Sequence, residues 1–562
     1  MATLRRVAAA VTRRLALIRP EVRAAEAALA AGDPDRAIAL TEAATRSHPG
    51  DRGILLIRRR AFAVRGDQTA VAGVLAALRR TRGGDAVADQ ERRLHGDLAE
   101  TDPRWRPRIS GPRRALAPRS DRVVLHLLKE SLPHRQSGFT MRSHDNLLAQ
   151  RAVGWDPVVA TALGFPRWTG APVVPVEEVD AIRHRRLDLG AGYPAKGPVD
   201  LYLEDYAWRA AAVAREERPA IIHAASGGRG YETALVGLAL GAHLDLPVVY
   251  EVRGLFDGPA PDADGVSTDA TSRRERYRRR DATELRCMLA ADAIVTLAET
   301  MKADIVARGV PAERVSIVPN GVDPVAFQPR PADPALRARY GLGDRYLIGY
   351  VSNLDNRREG QETLIEATAL LVARGRDVAC LIIGDGVRRA ELESVAAASG
   401  AADRVVFTGA VPHSEVPAMY ALLDAFVVPR REERAARLVT PLKPFEAMAM
   451  ARPLVVADLP ALTEVAPDGV RSLAYPPEDA AALAVAIERL IDDPSLAGRL
   501  GEAGRAWVTR ERTWASNGPR WTHAYESAVA AHRARRAGPG SGSPSDGERA
   551  AGSRRASWAA SS

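Results

Sequence analysis

Between residues 121 and 500 the chain alternates short apolar runs with helical stretches, and it does so twice. The runs Arg122–Leu128, Val158–Thr161, Ala220–His223 and Pro247–Tyr250 form one set, with helical segments through Asn146–Ala149 and Thr233–Ala242. Leu347–Val351, Val378–Ile383, Arg404–Phe407, Ala425–Val428 and Pro453–Val456 form the second, with a helix over Thr363–Ala373. A short strand that is apolar throughout has both faces buried, which requires helices on both sides of a mostly parallel sheet. The pattern therefore predicts an α/β protein: two doubly wound, Rossmann-like parallel-sheet domains over 121–325 and 340–500, then a closing helical segment over 505–530. Ligands bind beyond the carboxyl ends of such strands, so two facing sheets make one cleft. A cleft of this kind suits a two-substrate transfer from which closure excludes water.

The length of 562 residues leaves room for further units at either end, given roughly 150 residues per domain. Residues 1–115 are rich in Ala and Arg, lack strand-like alternation and read as helices ending in a basic linker. Gly32-Asp33-Pro34-Asp35-Arg36-Ala37 returns in reduced form as Gly66-Asp67-Gln68-Thr69-Ala70-Val71, the glycines 34 residues apart. That period resembles tetratricopeptide repeats, with Ala37 and Ala44 at close helix contacts and Pro49 as a helix stop; an unrelated helical bundle is the alternative. Two repeats are few for a free solenoid, so this extension should pack on the next domain or bind a protein partner. Residues 537–562 are Gly, Ser, Pro, Ala and Arg without an apolar period, the composition of a disordered tail.

Charge follows the same division. Residues 1–120 carry 24 basic against 13 acidic side chains and 531–562 carry 6 against 2, while the whole chain is only +9. The 410 residues between are net negative, so the main body is no basic nucleic-acid surface and no specific nucleic-acid partner is expected. The longest apolar candidate at the N terminus, Val7–Val11, is far shorter than a membrane span. Cys287 and Cys380 are too few for a disulfide framework. The expectation is a cytoplasmic protein with at most peripheral membrane contact. No His, Cys and carboxylate spacing suggests a metal, and no Walker-type loop is present.

Several stretches occur in a familiar order over some 400 residues: Ile317-Val318-Pro319-Asn320-Gly321-Val322-Asp323 with Phe327, Ile382-Ile383-Gly384-Asp385-Gly386, Val405-Val406-Phe407-Thr408-Gly409, and Pro441-Leu442-Lys443-Pro444-Phe445-Glu446 through Met450, followed by Ala461-Leu462-Thr463-Glu464. In them the chain resembles the retaining glycosyltransferases of family 4, also called group 1, which have the two-domain GT-B fold. Ser137–Arg142, Gly164-Phe165-Pro166-Arg167 and Tyr250-Glu251-Val252-Arg253-Gly254 are similar to the subgroup associated with bacterial exopolysaccharide biosynthesis.

The resemblance implies a nucleoside diphosphate sugar as donor, bound by the second α/β domain without a metal or other cofactor. Glu446 is then expected to hold the ribose hydroxyls, Lys443 to neutralise phosphate, and Thr440 and Leu442 to border the donor in the same loop. The family's first motif acid would stand eight positions earlier, where this chain has Leu438, with Glu432 and Glu433 nearby. The family's basic groups after the domain's first strand are displaced to Arg357 and Arg358, ahead of Gly360. Gly384, Gly386 and Gly409 are expected to permit tight turns beside the donor. On the acceptor side the resemblance assigns His223 to the transferred hexose, with a satisfied core histidine as the alternative. Gly138 resembles the family's loop glycine beside phosphate and acceptor. Arg253 is an anion-binding candidate that a pair with Glu251 would also explain, and Asp292 reads as a surface or helix-end acid.

The reading implied for the whole is glycosyl transfer, with retention, to an acceptor hydroxyl on a saccharide, lipid-linked or small molecule. The alternatives are a sugar-nucleotide epimerase or phosphorylase of the same fold and a catalytically degenerate scaffold.

Overall fold

The structure, a computed structural model, describes residues 20–81, 84–191, 197–227, 230–254 and 275–537. The N-terminal stretch Val7–Val11, the loop residues Gly228 and Arg229, and the tail from 538 lie outside the described residues.

Five helices come first: α1 (Pro20–Ala30), α2 (Pro34–Ser47), α3 (Arg52–Arg65), α4 (Gln68–Arg80) and α5 (Asp85–Glu100). Asp33 and Asp51 start α2 and α3 by accepting the Arg36 and Ile54 N–H groups at 2.9 and 3.1 Å, the N-cap role of a short carboxylate. Gly66 stops α3 in the left-handed region at φ 80°. Ala28, Ala37, Ile38, Leu55, Phe62, Val74 and Leu78 form the shared core of these helices.

The first sheet contains β1 (Val123–Leu128), β2 (Asp156–Thr161), β3 (Val176–Val179), β4 (Ile182–Arg185), β5 (Ile221–Ala225), β6 (Val248–Glu251), β7 (Ala293–Thr296) and β8 (Val315–Ile317), in the order β3-β4-β2-β1-β5-β6-β7-β8. All neighbours pair in parallel except β3 with β4. This edge hairpin departs from the sequence expectation because Glu177, Glu178, Arg183 and Arg185 give it a half-exposed, charged pattern. The helices α6 (Gly138–Ala152), α7 (Val199–Glu217), α8 (Glu232–Leu244), α9 (Glu275–Ala290) and α10 (Glu299–Ala307) cover the sheet.

The helical extension packs on this domain. Gly96 lets α5 approach the start of α7, where a Cβ would come within 2.9 Å of the Val199 nitrogen. Arg279 of α9 donates to Leu98 O at 2.7 Å and to Thr101 Oγ1 at 2.9 Å, and Glu275 accepts the Thr69 N–H at 2.9 Å.

The second sheet, β9 (Tyr346–Val351), β10 (Val378–Ile383), β11 (Val405–Phe407), β12 (Ala425–Val428), β13 (Leu454–Ala457) and β14 (Ser472–Tyr475), is parallel throughout, in the order β11-β10-β9-β12-β13-β14. The short helices α11 (Arg434–Leu438) and α12 (Lys443–Ala449) lie between β12 and β13. The helix Pro494–Glu511 contributes Leu500, Trp507 and Val508 to this domain's core.

The chain then returns to the first domain. Helix α13 (Gly518–Ala537) buries Trp521, Ala524, Tyr525 and Ala528 against Val124, Ile221, Val249 and Val295. Asp292 helps hold it. The acid is buried rather than at the surface as expected, accepting the Val248 N–H at 2.8 Å and pairing with Arg535 at 2.8 Å. Among the described residues no helix is long and apolar enough to cross a membrane.

Trp521 of α13 is fully buried and donates its indole N–H to Asn146 Oδ1 at 2.9 Å. Trp521→Ala is expected to cost about 3–5 kcal/mol in the unfolding of the first domain, read by urea titration monitored at the far-ultraviolet signal.

Candidate active site

On the second domain's side, the loops after β9, β10 and β12 meet the start of α12. Lys443 begins α12, and its Nζ lies 3.2 Å from Glu359 Oε2 and 5.2 Å from the centre of the Tyr350 ring. Glu359, buried in the turn after β9, also accepts Arg430 Nη2 at 3.1 Å and the Tyr350 hydroxyl. Burial, the largest influence, favours the neutral acid, but the Arg430 and Lys443 cations outweigh it and hold the Glu359 carboxyl well below its usual range. Burial lowers the Lys443 ammonium and the Glu359 charge opposes the shift. Lys443 is thus fixed in place by a carboxylate, with nearly a quarter of its side chain still exposed.

Glu446 lies one turn into α12. The buried Tyr420 hydroxyl donates to its Oε2 at 2.7 Å, while burial raises its carboxyl above the ordinary value. Thr440 is buried, with a hydroxyl that has no partner among the described residues, and its carbonyl accepts Asn320 Nδ2 from across the domain boundary at 2.8 Å. Leu442 faces Gly138 at the start of α6: a Cβ on Gly138 would lie 3.5 Å from Leu442 Cδ1, an ordinary contact. The Gly138 loop and the Lys443 loop therefore face each other across the domains.

Arg357 pairs with Glu391 at 2.7 Å and Arg358 with Glu359 at 3.5 Å, both within the second domain and both considerably exposed. Gly384 (φ 136°) and Gly409 (φ 73°) bridge the ends of β10 and β11. A Cβ on Gly384 would meet Ser352 O at 1.9 Å, and one on Gly386 would meet Leu354 C at 2.5 Å. These glycines let the strand-end loops close on one another. Leu438 ends α11 and packs, with Val439, on the hydrophobic core of the first domain. An acid there would lie partly buried against apolar side chains.

The first domain's side is organised by Glu251 at the end of β6. Arg142 of α6 donates Nε and Nη2 to Glu251 Oε1 at 3.0 and 2.8 Å, and Arg253 Nη2 donates to Oε2 at 2.6 Å. Arg142 also reaches Val318 O, Pro319 O and Asn320 Oδ1 at 2.7–3.0 Å. Burial lowers its guanidinium to about 10, still high enough to remain charged. Arg253 has the Glu251 pair anticipated for it, together with Ser143 Oγ at 2.6 Å.

His223 departs from the position expected of a sugar-contacting residue. It is 1% exposed, its Nδ1 meets Tyr525 Oη at 2.8 Å, its Nε2 meets Glu251 Oε2 at 3.2 Å, and its ring lies 4.4 Å from that of His126 and 5.0 Å from Trp521. Burial lowers its basicity. The contacts are those of a satisfied core histidine beneath the cleft.

Four residues of the site were not singled out from the sequence. Arg430 follows the apolar run of β12, and the rule that sites lie beyond strand ends could have found it. Glu359 and Tyr420 carry no such signal, since only folding brings them to Lys443 and Glu446. Asp145 of α6 is a further such residue: burial, and then the negative charges of Asp323 and Glu446, raise its carboxyl to about 7. Asp323 itself caps its own turn, accepting the Val325 N–H at 2.8 Å. Among the described residues no group of three or more His, Cys, Asp or Glu is arranged to hold a metal ion.

The family described as "Glycosyl transferases group 1" matches residues 345–493, and that described as "Glycosyl transferase 4-like domain" matches 137–321. An alpha-D-kanosaminyltransferase of Streptomyces kanamyceticus is 32% identical over 296 residues, spanning 51% of this chain and 72% of that protein. A GDP-mannose-dependent alpha-(1-6)-phosphatidylinositol monomannoside mannosyltransferase of Mycolicibacterium smegmatis is 33% identical over 233 residues, spanning 41% of this chain and 61% of the relative. Among solved structures, a sucrose-phosphate synthase from Thermosynechococcus elongatus superposes with TM-score 0.60 at 23% identity, over 73% of this chain and all of that one. The catalytic domain of starch synthase IV from Arabidopsis thaliana, bound to ADP and acarbose, superposes with TM-score 0.56 at 15% identity, over 73% of this chain and all of that one. At such identities these likenesses establish the fold, the two-domain GT-B arrangement.

The raised Asp145 carboxyl has a signed consequence. An unfolded Asp ionises near ~3.9, so as pH rises from there towards about 7 the unfolded state loses its proton first and the folded state loses relative stability. Asp145→Asn removes that penalty. Melting curves should show the variant more stable than the parent near ~pH 8 and little different near ~pH 4.

Proposed function

The chain belongs to the group 1 glycosyltransferases, and from that premise we propose that it transfers a hexosyl group from a nucleoside diphosphate sugar to an acceptor hydroxyl with retention of anomeric configuration, in the assembly of a polysaccharide or glycoconjugate. The observation that carries the reading is that Leu442, which leads into the short helix of Lys443 and Glu446, faces Gly138 across the cleft. Relatives named as a glucosyltransferase and a mannosyltransferase support a hexosyl donor.

In this reading Glu446, oriented by Tyr420, accepts hydrogen bonds from the ribose hydroxyls. Lys443 meets the departing diphosphate, and Glu359, which Arg430 also bonds, holds the lysine in its loop. Preoriented charge of this kind acts where negative charge develops in the transition state. The N–H of Leu442 and the backbone of Thr440 border the phosphates, and Gly138 leaves space where the protein itself would admit a methyl. Arg357 and Arg358 supply positive charge at the rim. The leaving phosphate takes the acceptor proton in a front-face reaction, so the mechanism assigns no separate base and no metal. The helical extension is read as tetratricopeptide-like, on the 34-residue spacing of Gly32 and Gly66, and the protein is assigned to the cytoplasm with at most peripheral membrane contact.

Nucleotide release from a panel of UDP-, GDP- and ADP-sugars, followed by NMR of the product's anomeric centre, tests the reading. Release with an inverted product overturns retention, and epimerised donor without transfer favours the isomerase alternative.

Two substitutions examine the donor site. Glu446→Ala should lower donor kcat/KM more than tenfold, because a hydrogen bond to a charged group is worth about 1.5–3 kcal/mol; unchanged kinetics in a folded variant would remove Glu446 from the site. Lys443→Gln should weaken nucleoside diphosphate binding while leaving the bare nucleoside nearly unaffected, since glutamine keeps reach but not charge. Calorimetry with both ligands separates this from a general deformation of the pocket, which would weaken both equally.

A further inference from the structure

The loop between β1 and α6, residues 129–137, leads into Gly138 and exposes Arg135. The charge of Arg135 reaches the second domain. There the Asp355 carboxyl, in the loop after β9, is held below its ordinary value by the Val387 N–H and by Asn353, and further by the Arg135 cation. The loop thus brings two groups towards the cleft, and a loop beside a site is placed only as precisely as the residues that hold it.

What holds this one is the edge hairpin. Arg186, immediately after β4, is buried and donates Nη1 to Ser131 Oγ at 2.5 Å, Nη2 to Leu132 O at 2.9 Å and Nε to Glu177 Oε2 of β3 at 2.7 Å. Glu177 in turn meets His134 Nε2, in the same loop, at 2.7 Å. His184 of β4 closes the set, its Nδ1 3.1 Å from Ser131 Oγ. Burial, and then the Arg186 charge, lower this imidazole to about 3, so it stays neutral beside the guanidinium. A buried ion pair often stabilises no more than apolar side chains of the same volume. What this one adds is direction, because the planar guanidinium aims its donors in a fixed fork.

The hairpin is itself fastened at both ends. Arg183 and Arg185 of β4 pair with Glu217 of α7 at 2.5 and 2.6 Å. At the turn, Asp180 and Ala181 have left-handed φ values of 49° and 57°, which a two-residue hairpin turn requires and side chains other than glycine resist. His144 Nε2, 2.7 Å from Asp180 Oδ2, and Arg151 Nη1, 2.8 Å from Asp180 O, secure that turn from α6, the helix that Gly138 begins.

We propose that the β3–β4 hairpin is a brace for the β1–α6 loop and that Arg186 is its positioning residue, setting Gly138 and Arg135 against the second domain during transfer. The inference rests on the transferase reading and deepens it, by giving the reaction a buried residue that acts through the loop.

Three variants of the full chain test it: Arg186→Ala, Arg186→Lys, which keeps the charge without the fork, and Glu177→Gln, which keeps the shape of the partner without its charge. Deuterium exchange read by mass spectrometry should show residues 131–137 exchanging at least fivefold faster in each, with α13 unchanged. With the donor that supports nucleotide release, kcat should fall about tenfold or more, since a ~1 Å misplacement can cost about a hundredfold. Affinity for the bare nucleoside diphosphate, which this reading places on the second domain, should move less than threefold, and Arg186→Lys should recover part of the Arg186→Ala loss. Exchange of 131–137 at the parent rate, or faster exchange with unchanged kcat, overturns the inference and leaves the transferase reading standing. So does a kcat that falls only together with nucleoside diphosphate affinity and melting temperature, the mark of general destabilisation. If Arg186→Ala does not fold, Glu177→Gln and Arg186→Lys decide. Absence of nucleotide release by the parent from every donor overturns the transferase reading, and the inference with it.

Discussion

The buried carboxylate of Glu251 is the constraint on which the arrangement of the molecule depends. At the end of β6 it is enclosed by Arg142, Arg253 and His223, and each partner comes from a different part of the chain. Desolvating a carboxylate is expensive unless cations and hydrogen bonds surround it, and removing one partner of a buried pair commonly costs about 3–5 kcal/mol. Burial alone would favour the neutral acid, yet the two guanidinium groups hold it well below the usual carboxylate range. The network therefore exists as a charged whole. It fixes α6 through Arg142, the chain between the domains through Val318, Pro319 and Asn320, and α13 through His223 and Tyr525.

The loop leading into α12 is connected to this network. Asn320 accepts from Arg142 and donates to the Thr440 carbonyl, so the stretch preceding Lys443 and Glu446 is positioned from the first domain as well as the second. Further contacts cross the boundary, an Arg434–Asp304 ion pair at 3.1 Å among them. Glu464 accepts the Glu299 and Thr300 N–H groups at 2.9 and 3.0 Å, placing a negative charge at the start of α10, where a helix favours one. Leu438 and Val439 add apolar packing. The apolar side chain at position 438 thus takes part in how the domains meet.

Legibility in the sequence followed burial on both faces. The strands β1, β2, β5, β6 and most of the second sheet are continuous apolar runs, a pattern that few other folded environments produce. The hairpin β3–β4 escaped because an edge position leaves Glu177, Arg183 and Arg185 partly in solvent, which gives their segment the composition of a loop. The motif residues Lys443, Thr440, Leu442 and Gly138 could be named in advance and do come together. For Asp292 the type was legible but the surroundings were not, since an acid is expected to face water until α13 folds back over it; for His223 the core alternative was legible, but not its partner Tyr525 on α13.

The sequence alone determined the two parallel-sheet domains, the helical extension and the loop that carries Lys443 and Glu446, because these are written in local periodicity and contiguous motif. Only tertiary structure decided that the last helix returns to the first domain, that Glu359, itself bonded by Arg430, holds Lys443, and that Asp145 shares its surroundings with Asp323 and Glu446. The reason is the range of the forces. Apolar periodicity reflects which face of a local element is buried, whereas the ionisation of a carboxylate depends on charges within a few ångströms in space, supplied by residues up to hundreds of positions away in the chain.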